Sequence, residues 1–340
     1  MKHRLLISPA KVFYLIFILL ALNLPNVAQA CASCGCTLSS DWENLGFSGS
    51  SGFKIDVRYD YLNQNQLRSG TGTISSVAAS QISNNGNPQE VEKYTRNNYL
   101  TVGIDYGFDP DWGINVQIPY IDRSHSTLGT ASDGITPGPG GGQYDSSTSN
   151  IGDVKVIGRY QGFTPNHNLG ILFGLKLPSG SHTETGNSTD PGVTDPVAID
   201  RGLQPGTGTT DVILGAYYLG MLNRDWGYFS QAVIQKALNS RDQYKPGDGA
   251  NLNLGLRFMG WERVTPQLQV NARFVEHDRG ANADTVSTGG TLVYLSPGAT
   301  VRINNQWKLY GFVQLPVYQD VNGVQLAPRW TASAGVNFSF

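Results

Sequence analysis

Residues 330–340 alternate without a slip: Trp330, Ala332, Ala334, Val336, Phe338 and Phe340 fall on one side, Thr331, Ser333, Gly335, Asn337 and Ser339 on the other. A period of two is that of a β-strand, whose successive side chains point to opposite faces. The two faces differ in chemistry, so they must meet different surroundings. A strand of this length closing on an aromatic residue matches the roughly 9–11 residues with which a tilted strand crosses a bilayer.

The pattern recurs upstream. Phe53, Ile55, Val57, Tyr59 and Tyr61 alternate with Lys54, Asp56, Arg58 and Asp60; Leu100, Val102, Ile104, Tyr106 and Phe108 alternate with Thr101, Gly103, Asp105 and Gly107. The stretches 112–120, 251–258 and 267–274 repeat it, and weaker versions run through 150–163, 168–178, 209–221, 226–239, 290–303 and 307–318. This predicts an all-β chain forming a transmembrane, antiparallel, up-and-down β-barrel of about 12 strands, an even number as in single-chain bacterial barrels. A hydrophobic content of 39% and a mean hydropathy of −0.24 do not oppose that reading, because half of each strand in such a barrel would face a polar lumen.

Connections alternate in length. Short turns rich in Asp, Asn and Pro are expected at 109–111, 164–167, 223–225, 262–266 and 304–306, and long polar connections at 64–92, 124–149, 179–208, 240–249, 278–289 and 319–327. Short periplasmic turns alternating with long extracellular loops would produce this rhythm. Trp112, Trp226, Trp261 and Trp307 stand beside the short turns, where an aromatic belt would meet the headgroups. A soluble sandwich explains the alternation but not the tryptophans.

The N-terminus carries Lys2, His3, Arg4 and Lys11, then an apolar run over 12–24 and the small residues Ala28 and Ala30. Residues 1–30 therefore read as a removable signal peptide, 31–50 as a periplasmic segment and 51–340 as the barrel of an outer membrane in a Gram-negative bacterium. Loss of Lys2, Arg4 and Lys11 takes the formal net charge from −2 to −5, which argues against a nucleic-acid partner.

Three short motifs recur in order: Ile151-Gly-Asp-Val154 opening a strand, Gly174-Leu-Lys-Leu-Pro-Ser-Gly180 closing one, and Gly206-Thr-Gly-Thr-Thr-Asp211 opening the next. Over roughly residues 95–340 the chain resembles the outer-membrane transporter family named for the meta-cleavage pathway of phenol degradation. The resemblance implies a barrel channel for small molecules and leaves the cysteine-rich start and the 179–208 loop unexplained.

Cys31, Cys34 and Cys36 hold all the sulfhydryls of the chain. Thiolates at this spacing could bind Cu(I) or Zn(II), but no fourth thiol or nearby histidine completes a tetrahedral site. A Cys31–Cys34 disulfide is preferred in an oxidising compartment, and a lipidated Cys31 is disfavoured by Gln29. Asp190, Asp195 and Asp200 lack the spacing of a Ca²⁺ loop, and Gly138 to Gly142 lacks the lysine of a phosphate cradle. His125 and Ser126 are adjacent, so on a strand they face opposite ways, and His125 reads as a loop residue; no enzyme is expected.

The expected function is that of a channel or facilitated-diffusion transporter for small anionic or aromatic solutes with no cofactor, selecting by lumen width and charge. Lys54, Arg58, Lys155, Arg159, Lys176, Arg257, Arg273 and Arg302 are assigned inward against Asp56, Asp60, Asp105, Asp153 and Asp211, which favours small anions. Expected partners are outer-membrane lipid, a small-molecule solute, the assembly machinery through Phe340, and a periplasmic partner at 31–50. The alternative is a barrel whose cysteine-rich segment serves metal or redox handling or partner docking.

Overall fold

A computed structural model describes residues 51–84, 87–88, 91–131, 141–188 and 196–340. Twelve strands matter here: β1 Gly52–Gly70, β2 Val91–Gly107, β3 Trp112–Ala131, β4 Gly141–Ile151, β5 Lys155–Tyr160, β6 Leu169–Lys176, β7 Asp211–Met221, β8 Trp226–Ala237, β9 Gly249–Phe258, β10 Val264–Val275, β11 Gly290–Arg302 and β12 Trp307–Ser339. All their pairings are antiparallel. Eleven of them close a ring, in the order β1, β2, β3, β5 and onward to β12, which pairs back onto β1. β4 continues the wall above β5, pairing with the far part of β3. Closure removes the unpaired edges that an open sheet would present.

The ring is strongly staggered. A path from partner to partner leaves β1 at Lys54, passes Asp105, Ile157, Ile213, Gly249 and Gly290, and returns to β1 at Gly70. Such stagger tilts the strands against the barrel axis.

β12 folds back on itself. Its 308–321 limb pairs with β11 and its 324–339 limb with β1, and Gly323 takes a φ of 49° at the reversal. Thr331 donates to Gln314 Oε1 at 2.6 Å and Gln319 Nε2 to the Pro328 carbonyl at 3.0 Å across the limbs. The stretch 319–327, expected as a long loop, is therefore strand with a tight reversal. Its alternation is lost because Val324 to Pro328 are buried in an unbroken run, both faces being covered; Val324 packs with Val91 and with Ala79 of the short helix α1, Ser76–Ser80. β1 and β3 likewise run beyond the expected strand ends at 63 and 123, as hydrogen-bonded ladders whose residues no longer alternate in polarity.

Three short turns share one device. Asp109, Asn223 and Asn304 each accept through Oδ1 from the backbone N–H two and three residues on, at 2.8 to 3.0 Å, and the third residue is Trp112, Trp226 or Trp307. The Asx side chain mimics a backbone turn and fixes where the next strand starts. Each tryptophan is thereby set at one level of the wall. Ring contacts link Trp112 to Tyr160, Trp226 to Phe258, Phe258 to Trp261 and Trp307 to Phe338, an aromatic girdle at the short-turn end.

Between that girdle and the loops the outer wall is apolar: Leu100, Ile104, Leu214, Leu254, Leu268, Leu309 and Leu315 are exposed. An exposed apolar belt of this extent belongs against lipid. Among the described residues no helix is long and apolar enough to cross a membrane. The inner wall is polar, with Asn, Gln, Ser, Thr and charged side chains buried. It also holds four rings, each lying across a glycine: Phe229 over Gly255, Phe312 over Gly298, Tyr217 over Gly170 and Tyr310 over Gly335. A methyl at any of these glycines would overlap the ring. The chain thus has the fold of an outer-membrane β-barrel.

Candidate functional site: the lumen and its loop-side cavity

The short-turn half of the lumen is filled. Arg159 pairs with Asp105 at 2.9 Å and Arg58 with Asp60 at 2.8 Å, all four side chains almost wholly enclosed. Tyr310 donates to both oxygens of Asp56 at 3.0 and 3.1 Å, and Tyr217 donates to Gln161 Oε1 at 2.6 Å. Across the opposite wall an amide ladder runs from Gln231 through Asn253 and Asn271 to Ser296, with steps of 2.6 to 2.8 Å. Buried polar groups joined in this way keep the hydrogen bonds they would otherwise lose on leaving water.

The loop-side half is different. A cavity of about 270 Å³ lies there, walled by β1, β2, β3 and β5 to β10 and roofed by the 3₁₀ turn Arg201–Leu203, the following 204–207 and the stretch 244–247. Its lining includes Arg58, Arg123, Lys155, Lys176, Arg201 and Arg273 against Asp153 and Asp211. Apolar surface comes from Tyr99, Ile121, Ile157, Leu172, Ile213 and Tyr244.

The roof is drawn inward by the wall. Arg123 donates through Nε to Asn97 Oδ1 at 2.5 Å and through Nη2 to Tyr99 Oη at 3.0 Å. Its Nη1 reaches the Gly202 and Gln204 carbonyls, each at 3.4 Å. Arg201 donates to the His182 and Thr207 carbonyls, ion-pairs with Asp242 at 3.3 Å, and sits 5.1 Å from the centre of the Tyr244 ring. Gln204 closes the loop's neck by donating to the Glu184 and Ile199 carbonyls, both at 3.0 Å.

The three motifs of the resemblance meet at the cavity wall. Asp153 accepts from Lys176 Nζ at 2.7 Å, Gly180 N at 3.0 Å, and Thr207 N and Oγ1 at 2.9 Å. Lys176 also pairs with Asp211 at 3.3 Å, and Asp211 accepts from Thr209 Oγ1 at 2.7 Å and Gln235 Nε2 at 2.6 Å. Gly152, Gly180 and Gly206 approach backbone to backbone, so a side chain at Gly180 or Gly206 would collide with the facing main chain. The short Gly–Asp and Pro–Ser–Gly signatures therefore knot the 177–210 loop to β5 and β7.

Of the cations assigned inward, Arg58, Lys155, Lys176 and Arg273 line this cavity. Lys54 and Arg159 lie below it on the buried inner face, near Asp105, and Arg257 is half-buried on the inner face of β9. Arg302 is exposed beside a short turn, where it donates to the Glu262 carbonyl at 2.7 Å, and takes no part in the cavity lining. Arg123, Arg201, Tyr99 and Tyr244 escaped the sequence reading, because the first lies where alternation fades and the second within an irregular loop. His125, read as a loop residue, is in β3 and fully buried, with Nδ1 2.8 Å from Thr95 Oγ1; a strand extending past the apolar belt put it there. Cys31, Cys34, Cys36, Asp190 and Asp195 lie outside the described residues. Asp200 is in the loop, its carboxyl pushed up by burial and by the charge of Asp284.

No family model and no curated relative matches the chain. Solved structures do. An outer membrane channel from Pseudomonas putida F1 superposes with a TM-score of 0.59 at 13% identity, covering 86% of this chain and 96% of that one. The monoaromatic hydrocarbon channel CymD superposes with a TM-score of 0.51 at 10% identity, covering 93% of this chain and 99% of that one. At these identities the likeness is one of fold.

Proposed function

We propose that the chain is an outer-membrane channel for facilitated diffusion of small aromatic solutes, crossing the bilayer twelve times once the two limbs of β12 are counted separately. The observation that carries this reading is the cavity inside a closed barrel: an interior chamber of mixed polar and apolar lining, within a wall that is apolar outside. Small-molecule sites are typically mostly apolar chambers with a few placed polar groups, and the lumen supplies both. The two neighbours described as channels support the same class. In this reading the Trp-bearing turns face the periplasm and the 177–210 and 238–248 connections face outside. Residues 1–30 are the export signal, and 31–50 a periplasmic segment with a Cys31–Cys34 disulfide. Transport needs no chemical step: the solute is selected by the width and charge of the chamber and of its exits.

The decisive measurement is solute entry into liposomes carrying the purified chain, comparing neutral single-ring aromatics with sugars of similar mass. Faster entry of the aromatics supports the reading. Equal entry of both classes points to an unselective pore, and no entry of either rejects transport.

A further inference from the structure

The charges around the cavity do not balance, and the imbalance is concentrated on three side chains. Lys176 is held by two carboxylates and Arg58 by one. Arg123, 4% exposed, is held among the described residues by neutral groups: Asn97, Tyr99 and two backbone carbonyls. Arg273 has Asn251 Oδ1 at 3.2 Å, and its Nε is buried with no acceptor among the described residues. The Nε of Arg201 is in the same condition, and its one carboxylate, the half-exposed Asp242, is shared with His182 and Arg241. A buried cation without a counter-charge is costly, and a buried N–H donor without an acceptor adds to that cost.

An anion entering the cavity would meet both needs at once. Guanidinium groups suit a carboxylate in particular, because their parallel N–H donors match its two oxygens. The rest of the lining sets the remainder of the ligand. Tyr99, Ile121, Leu172 and Tyr244 offer buried apolar surface beside the arginines. At about 270 Å³ the chamber lies just under the roughly 300–1,000 Å³ usual for small-molecule sites, which leaves no room for a long acyl chain.

We propose that the loop-side cavity binds a small carboxylate with a compact, single-ring apolar body, its charge held by Arg123, Arg201 and Arg273. The proposal rests on the reading of the lumen as a solute route and names the class of solute that pauses there. It also gives the roof a role, since Arg201 belongs to the 3₁₀ turn and Arg123 touches its carbonyls. A bound carboxylate would bridge wall and roof.

The test is calorimetric titration of the full chain in lipid nanodiscs with benzoate, benzyl alcohol and inorganic phosphate. Benzoate should bind at least tenfold more tightly than either of the others, and Arg273→Gln and Arg123→Gln should each weaken it about tenfold or more. If Arg123→Gln fails to fold, judged by heat-modifiable gel mobility, Arg273→Gln decides alone. Benzyl alcohol binding as well as benzoate, absence of benzoate binding, or unchanged affinity in Arg273→Gln would overturn the proposal. Phosphate binding as tightly as benzoate would overturn the single-ring assignment. Liposome entry of benzyl alcohol, measured in parallel, separates the two readings: entry without benzoate binding leaves transport standing and removes the site. Binding without entry of either solute does the reverse.

Discussion

The two halves of the lumen are built on the same strands and from the same residue types, yet they do opposite things. At the short-turn end the charges are matched, as with Arg159 and Asp105, and Ser296 donates to Asn271, Asn271 to Asn253 and Asn253 to Gln231. At the loop end the cations outnumber the carboxylates, and the roof comes from irregular chain that carries its own arginine. What separates structure from site here is therefore not polarity but the pairing of charge. A buried cation beside a carboxylate stiffens the wall, whereas one held by neutral groups is an offer to an anionic ligand.

The largest expected effect is at the matched end. Asp105→Asn leaves the Arg159 guanidinium enclosed without its counter-charge and should cost about 3–5 kcal/mol in a denaturant titration of the barrel in vesicles. Asn251→Ala at the loop end removes one partner of Arg273 and should cost only about 1 kcal/mol. Equal losses would break the comparison.

Next come the glycines under the rings. Gly298→Val forces the Phe312 ring off the wall and into the filled half of the lumen, with a cost of about 1–3 kcal/mol and a lower thermal midpoint. Leu309→Val on the lipid face should cost well under half as much. A larger effect from the lipid-face change would place the tight packing outside the lumen.

A smaller stability change but a visible functional one is expected for Arg123→Gln. Losing the bonds to the Gly202 and Gln204 carbonyls frees the roof, so single-channel conductance should rise while the unfolding midpoint moves by about 1 kcal/mol or less. Unchanged conductance would show that the roof does not limit passage.

The smallest effect is pH-dependent. In the 276–289 connection, burial pushes the Asp278 carboxyl up to about 6, and the charge of Asp284 adds to the rise, against the opposing bonds from Gly247 and Tyr244 and the charge of Arg279. A folded-state value above the ordinary 3.8 means the folded loop holds a proton that the unfolded one has released. Its contribution is complete below about 3.8 and is lost as pH rises through about 6. Hydrogen exchange around 244–247 and 276–289 should thus be slower at pH 5 than at pH 7.5, after correction for intrinsic rates, and Asp278→Asn should abolish the difference. Faster protected-site exchange at pH 5 would reverse the sign and reject the assignment.

The same division marks what could be read from the sequence. Wherever one face meets lipid and the other the lumen, alternation located the strand: β2, β7, β8, β9 and β11 begin and end within a few residues of expectation. Lys54, Asp56, Arg58 and Asp60 faced inward as their period required. Above the lipid that contrast vanishes, because water and loop cover both sides, and so the upper parts of β1 and β3 and the reversal in β12 carry no alternation to mark them as strand. The cavity is made where the pattern is silent. Arg201 reaches it through an irregular chain, and no periodicity predicts where such a chain turns. The knot of Asp153, Lys176 and Asp211 was visible as three motifs, but only their meeting in space explains why each contains a glycine.

The pairing of β1 with the last limb of β12 fixes an order of events. Lys54 finds its partner at Ser339, so the wall stays open along one side until the last limb of β12 has been delivered. Every other seam of the ring joins strands far closer in sequence; this one closes the largest loop in the molecule and carries the largest entropic penalty. A copy interrupted before its final limb would carry a full row of unmatched amides and carbonyls into hydrocarbon, where such groups find no substitute partner. Only a chain that includes this limb can leave water with the backbone of β1 fully paired.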